Sequence, residues 1–238
     1  MILSGHQPCY LPGLQLFNKM MHSDVFMYTP HCQFQKGSWH HRNYIDSGLL
    51  TVPVHGKLGV PIDEVRIDFS KNWQKKHLRS IEVAYSKYPF FDDYFPDIKY
   101  VITNCDGTLA DLNIGLMNRL TTWLRLDDYN RIYYSTENYR HIRAIKDPVD
   151  MIIAMCKHVD AGTYLSNEGA RAYIGPDEEE RMLRAGITHK WQGFTTPNYG
   201  QTPEVNNGRL SVIDLLFAKG PEAHDIIYNA GGVLNDLG

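Results

Sequence analysis

The sequence predicts an α/β domain with a mainly parallel or mixed central sheet flanked by helices, and three observations carry that expectation. The first 28 residues read strand, polar loop, helix, strand, which is how a parallel sheet opens. From Pro148 to Phe194, amphipathic helical stretches alternate with short apolar runs. With 238 residues, 43% of them hydrophobic and 21% charged, the chain can bury an ordinary core without disulfides or a structural metal.

Ile2 and Leu3 begin the first strand, which stops at Gly5-His6-Gln7-Pro8. Tyr10-Leu11-Pro12-Gly13 leads into a helix marked by Leu14, Leu16, Phe17, Met20 and Met21. Asp24 to Tyr28 is the second strand, ended by Pro30. Residues 31–48 show neither helical nor alternating periodicity and read as an irregular surface loop. Leu49 to Val54 is a strand that Pro53 confines to an edge or bulge, and Glu64 to Asp68 alternates like a half-exposed strand.

Trp73 to Tyr88 is a helix closed by Pro89. Leu109, Leu112, Leu116, Leu120, Trp123 and Leu124 mark a second one. A third starts at Pro148, presents Val149, Ile152, Ile153, Cys156 and Val159, and ends before Gly162. Thr163 to Ser166 is a strand that runs into a turn at Asn167-Glu168-Gly169. Asp177 to Ala185 is a charged helix closed by Gly186, followed by a strand from Ile187 to Phe194. Ser211 and Asp214 start a helix that Gly220-Pro221 ends while opening another.

Twenty-four Lys and Arg against 27 Asp and Glu give a net charge of −3, so no global positive field draws the protein to nucleic acid or to an anionic membrane. An anion site must be local. Cys9, Cys32, Cys105 and Cys156 form no CxxC pair and read as reduced, mostly buried thiols. The amino terminus lacks a basic segment with a long apolar run, and the longest apolar stretch is interrupted by Asp150. The expectation is a cytoplasmic protein with no membrane partner.

Four segments carry residues suited to chemistry. In the first, His6 lies between a strand and a helix amino terminus, within a turn stiffened by Pro8 and Pro12. An imidazole there can serve as general base or bond a phosphate, and it can equally hold a tight turn together. In the second, Gln33, Lys36, Trp39, His40, His41, Arg42 and Asn43 combine charge-assisted donors with an aromatic face for a base or sugar. The third is the basic run Lys71, Lys75, Lys76, His77 and Arg79, where Lys75 and Arg79 share a helix face. That run fits a phosphate clamp or a solvated surface. The fourth, Pro197 to Gln201, offers the Tyr199 phenol and the Gln201 amide.

The histidines of the first third match no HExxH, CxxC or HxH spacing, so no metal is expected. Nor does the chain carry a Walker A loop, a GxGxxG turn or a GxSxG elbow. No cofactor is called for, and any activation must arrive with a substrate.

Taken in order, Ser4-Gly5-His6-Gln7-Pro8-Cys9-Tyr10-Leu11-Pro12, Asp24-Val25-Phe26, Gln33 to Lys36, Trp39 with Arg42-Asn43, Leu50 to Val54, Trp73 with Lys76-His77, Tyr164 to Ser166, Tyr199 with Gln201, and Ser211 to Phe217 resemble the WbqC-like protein family. The likeness runs nearly end to end, so residues 1–238 read as one WbqC-like domain. Gly13 stands where the family often has Trp, and Asn167 where it often has Gly; both neighbour the presumed site.

The resemblance implies transfer of an amino acid, glycine above all, to a phosphate-activated or amino-sugar acceptor, as in surface-polysaccharide (O-antigen) biosynthesis. An alternative is an amino acid:DNA transferase acting on a phosphorylated hydroxymethyl pyrimidine in viral DNA, which leaves nucleic acid open as a partner. A third reading is a non-catalytic sugar- or nucleotide-binding protein. The residues suit amino-acid transfer: His6 or His77 can accept the proton of an ammonium, and with Asp24 they are the catalytic candidates. Gln7, Tyr10, Gln33, Lys36, Trp39, Arg42, Asn43, Lys76, Tyr199 and Gln201 become the substrate contacts.

Overall fold

The computed structural model describes residues 1–55, 59–126, 132–135 and 139–234. The chain runs β1 (Ile2–His6), α1 (Leu14–Met21), β2 (Val25–Tyr28), β3 (Arg42–Ile45), β4 (Gly48–Thr51), β5 (Val54–His55), β6 (Arg66–Ile67), α2 (Trp73–Tyr85), α3 (Phe91–Asn104) and α4 (Leu109–Trp123). It continues through β7 (Ile132–Ser135), α5 (Arg140–Arg143), α6 (Pro148–His158), β8 (Thr163–Ser166), α7 (Pro176–Arg184), β9 (Thr188–Phe194), α8 (Val212–Lys219), α9 (Ala223–Tyr228) and β10 (Gly231–Val233).

Six strands form the central sheet in the order β10-β9-β8-β1-β2-β7. Every pairing is parallel except β9 with β10. The sheet is therefore mixed and mainly parallel, with helices on both faces, as the alternation of helix and strand implied. β3 and β4 make one separate hairpin, and β5 and β6 another two-stranded pair.

Alternate side chains of β2 sort the two faces. Phe26 and Tyr28 join a large apolar cluster with α1, α2, α3, α4 and α8, whereas Val25 and Met27 join a smaller one with α6, Tyr164 of β8 and Met182 of α7. The period-two pattern of a strand buried on both sides thus divides the core into two layers. Among the described residues no helix is long and apolar enough to cross a membrane.

Local chemistry sets the helix starts. The Asp147 carboxylate accepts from the backbone N–H groups of Val149 at 2.9 Å and Asp150 at 2.8 Å, with Pro148 in the first helical position of α6. Thr108 and Asp111 form a reciprocal capping box on α4. Residues 31–48 differ from expectation: Arg42–Ile45 and Gly48–Thr51 pair as the β3–β4 hairpin. Polar residues on the outward positions hid it, since only Asn43, Ile45 and Leu50 of the hairpin strands are buried.

Candidate functional site

The strand order reverses beside β1. From β1 the chain passes through α1 to β2 on one side, while β8, on the other side of β1, is reached through α6 on the opposite face. The loops that leave β1 and β8 therefore run to opposite faces, which makes the carboxyl ends of these two strands the switch point, the place where such sheets hold ligands. His6 is the last residue of β1 and Ser166 the last of β8.

The turn after β1 is bonded to the Trp39-bearing segment at several points. His40 donates from Nε2 to the Gln7 side-chain oxygen at 2.6 Å, and its Nδ1 accepts from the Gln35 backbone at 3.3 Å. The Tyr10 N–H donates to the Trp39 carbonyl at 3.1 Å. Asn43 donates to the Leu11 carbonyl at 2.6 Å. From α4, Asn113, fully buried, donates to the carbonyls of Pro8 at 3.1 Å and His40 at 2.7 Å. The two segments singled out in the sequence thus form one structural unit.

Leu11, at the centre of the turn, has φ +42°, a left-handed conformation that a leucine adopts at a cost of about 1 kcal/mol or more. Its fully buried side chain and the Asn43 bond to its carbonyl hold it there. Strained backbone over-determined by its surroundings is characteristic of ligand-holding turns.

His6 donates from Nδ1 to the Gln7 carbonyl at 2.8 Å, and the Cys9 sulfur lies 3.7 Å from the same nitrogen. That fixes the tautomer and leaves Nε2 with its lone pair; no described residue bonds to it. Burial, aided by the neighbouring Lys19 cation, pulls the imidazole down to about 3, against the pull of the Gln7 carbonyl. The ring is therefore neutral at physiological pH.

Lys19 is the residue that sequence reading missed. It sits on α1, only 2% exposed, and donates from Nζ to the Gly5 carbonyl at 2.9 Å. Burial brings it down to about 7, with partial compensation from Cys9, whose own thiol burial raises to about 12. A signal existed: Lys19 stands three residues after Leu16 and one before Met20, on a short helix that is otherwise apolar at Leu14, Leu16, Phe17, Met20 and Met21. The cation is aimed back at the end of β1, as a helical side chain leaning toward the helix amino terminus must be.

The remaining candidates separate into contacts of this unit, exposed residues around it and members of other networks. Gln7 and Tyr10 belong to the turn itself. Trp39 is 48% exposed, with its edge toward Tyr44 at a 6.3 Å ring separation. Gln33 and Lys36 are exposed, and the Arg42 guanidinium lies over Gly37. Asn43 is a backbone clamp, since its oxygen also accepts from the Tyr44 N–H at 2.8 Å. Lys76 points to solvent on α2.

Four candidates lie in networks other than the His6 turn or are closed within it. Asp24 is exposed at the amino-terminal edge of the sheet, where it accepts from the Ile2 N–H at 2.7 Å, so the whole length of β1 separates it from His6. His77 is buried and closed: the Tyr10 hydroxyl donates to its Nδ1 at 2.9 Å and the Thr51 carbonyl accepts from the ring, which burial holds down to about 4. With both nitrogens engaged it is a positioning residue for Tyr10. Tyr199 donates to the buried Asp214 carboxylate at 2.8 Å, and Gln201 folds back onto the Tyr199 N–H and the Pro197 carbonyl. Both belong to the seat of α8.

The four cysteines are free thiols. Among the described residues no group of three or more His, Cys, Asp and Glu side chains is placed to hold a metal ion.

The fold is that of an open, doubly wound α/β protein whose topological switch point lies beside β1. The family follows from comparison: the model of the WbqC-like protein family matches residues 7–226, and the chain belongs to that family. No curated protein and no solved structure matches it.

Proposed function

We propose that the chain is an amino-acid transferase of the glycine type, acting on a phosphate-activated or amino-sugar acceptor in surface-polysaccharide biosynthesis in the cytoplasm. One observation carries the reading: at the switch point, a neutral imidazole with an open Nε2 stands beside a buried lysine. An amino acid must lose a proton from its ammonium before its nitrogen attacks. His6 Nε2 is the acceptor for that proton, and an anion bound beside the ring raises its proton affinity.

Lys19 supplies the charge that an anionic phosphate or carboxylate needs in a site from which water is excluded. Arg42 and Lys36, carried by the segment bonded to the His6 turn, are further candidates for binding the amino-acid carboxylate. On a phosphate-activated acceptor the amino-acid nitrogen forms the new bond, phosphate departs as its anion and His6 holds the proton. On an amino-sugar acceptor the sugar's amine attacks the carboxyl of an amino acid that arrives activated, the donor's leaving group departs, and His6 takes the proton of the attacking amine.

The exposed ring of Trp39 favours a second acceptor, a phosphorylated hydroxymethyl pyrimidine on which the indole stacks. Incubating the protein either with a carbon-14 glycyl thioester and a nucleotide-linked amino sugar, or with carbon-14 glycine and DNA carrying phosphorylated 5-hydroxymethyluracil, separates these readings. Label on the sugar supports the first and label on the DNA the second. Retention of an acceptor without label transfer marks a binding protein, and neither retention nor transfer ends the transferase reading for both acceptors.

A further inference from the structure

Across the sheet from His6, β8, β9 and α7 bring three side chains into a hydrogen-bonded line. The Ser166 hydroxyl lies 2.9 Å from Nε2 of His189 on the adjacent strand. Nδ1 of the same ring lies 2.9 Å from Oε1 of Glu179 on α7. That oxygen also accepts from the Trp191 indole N–H at 3.0 Å, which fixes the carboxylate. Arg171, itself paired with Glu168, covers the Trp191 ring at 4.0 Å.

The directions of these bonds are determined. An ionised carboxylate only accepts, so Nδ1 of His189 carries the hydrogen and Nε2 presents its lone pair. Ser166 must then donate. A hydroxyl donating to an imidazole whose far nitrogen is oriented by a carboxylate is the nucleophile, base and orienter arrangement that activates serine. The serine ends a parallel strand next to β1, at the carboxyl edge where α/β sheets place chemistry. A hollow of about 310 Å³, walled by Glu179, Glu180, Leu183, Ile187, Thr188 and His189, borders the base and its orienter, and Ser166 is not among its walls. Burial holds His189 below the usual histidine range despite Glu179, so the ring is in its proton-accepting form at neutral pH.

We propose that Ser166, His189 and Glu179 form a covalent acyl-transfer site for small activated esters or thioesters, distinct from the His6 site. Ser166 Oγ attacks the acyl carbon and its proton passes to His189 Nε2. The bond from acyl carbon to the leaving oxygen or sulfur breaks, and that atom takes the proton from His189. In the second half an amine or water attacks the Ser166 ester, its proton passes through His189 back to Oγ, and the acyl group leaves with the incoming nucleophile. Ser166 is only 3% exposed, so the smallest acyl donors, acetyl or glycyl esters, are the ones expected to react. Displacement of phosphate at His6 needs no acyl-enzyme, so the two proposals stand or fall separately.

The test treats the full chain with a small serine-directed fluorophosphonate, then weighs the intact protein and maps the modified peptide. The expected result is one adduct per chain, on Ser166, absent in Ser166→Ala and formed roughly 100-fold more slowly in His189→Gln. Glu179→Gln should slow it about tenfold or more, and p-nitrophenyl acetate should release one equivalent of nitrophenol in a burst. Should Ser166→Ala fail to fold, Ser166→Cys keeps the side chain's volume, and iodoacetamide should alkylate the introduced thiol faster with His189 present than in the His189→Gln background. An unmodified wild-type chain, an adduct elsewhere, or labelling indifferent to His189 overturns the proposal.

Discussion

His6 and His77 make an instructive pair, because both imidazoles are drawn below the ordinary histidine range first by burial, yet their surroundings assign them opposite work. His77 projects from α2 into a space where Tyr10 and Thr51 occupy its ring nitrogens. His6 sits on a turn that satisfies one nitrogen from its own neighbour and leaves the other without a bond from any described residue. His77 spends its accepting nitrogen on a buried phenol, whereas the accepting nitrogen of His6 is bonded by no described residue. The fold withholds a partner at the switch point, where the chain diverges, and supplies one in the packed layer beneath.

The widest separation between the two should come from turnover. Once glycine transfer is assayed, His6→Ala should lower kcat by a factor of about 100 to 10,000 and move the thermal midpoint little. His77→Phe should leave kcat per folded molecule within about threefold. Equal losses in both variants would erase the distinction between them.

Acid should reveal what they share. The folded state holds His6 at about 3 and His40 and His77 at about 4, each below its ordinary 6.5, so between these values the unfolded chain binds more protons. Stability is then fully present above pH ~6.5 and is lost as pH falls through ~4, by several kcal/mol in all at about 1.4 kcal/mol per unit. Urea midpoints measured from pH 7.5 to 4 check this, and a flat profile would contradict the buried, neutral assignment. His77→Phe should flatten the profile while costing about 2 kcal/mol at neutral pH, because the Tyr10 hydroxyl and the Thr51 carbonyl lose their partner.

Lys19 sharpens the contrast from the side of charge. Lys19→Met should leave stability within about 1 kcal/mol, since it removes a buried cation and one hydrogen bond together. It should still weaken binding of inorganic phosphate tenfold or more, as followed by calorimetry. Unchanged phosphate affinity would take the lysine out of the site. The smallest expected effect is Tyr199→Phe: about 1 kcal/mol of stability from the lost bond to Asp214 and no change in turnover. A large loss of turnover there would return Tyr199 to the site.

Much of this arrangement was legible along the chain because it rests on local rules. Leu3, Val25 and Phe26 announced buried strands, Asp147-Pro148 and Ser211 announced helix starts, and Gly5-His6-Gln7-Pro8 announced a loaded turn after the first strand. The α3 helix was not foreseen: Phe91, Tyr94, Ile98 and Ile102 are buried at helical spacing, but Pro96 and the flanking acids interrupt the pattern. Asp24 and His77 carry the right functional groups, and nothing in the order of residues tells which edge of a strand or which side of a helix will face a crevice.

The sequence by itself determined the strand and helix periods, the punctuation between them and the turn chemistry at His6, since each depends on residues within a few positions of one another. Tertiary structure alone decided that β8 lies beside β1, that Asn113 ties two distant loops together, and that Lys19 is buried behind Gly5. It also decided that Ser166, Glu179 and His189 share a line of hydrogen bonds. Strand order and burial arise from contacts across the whole chain, and in those contacts a side chain gains or loses the partner that decides whether it can react.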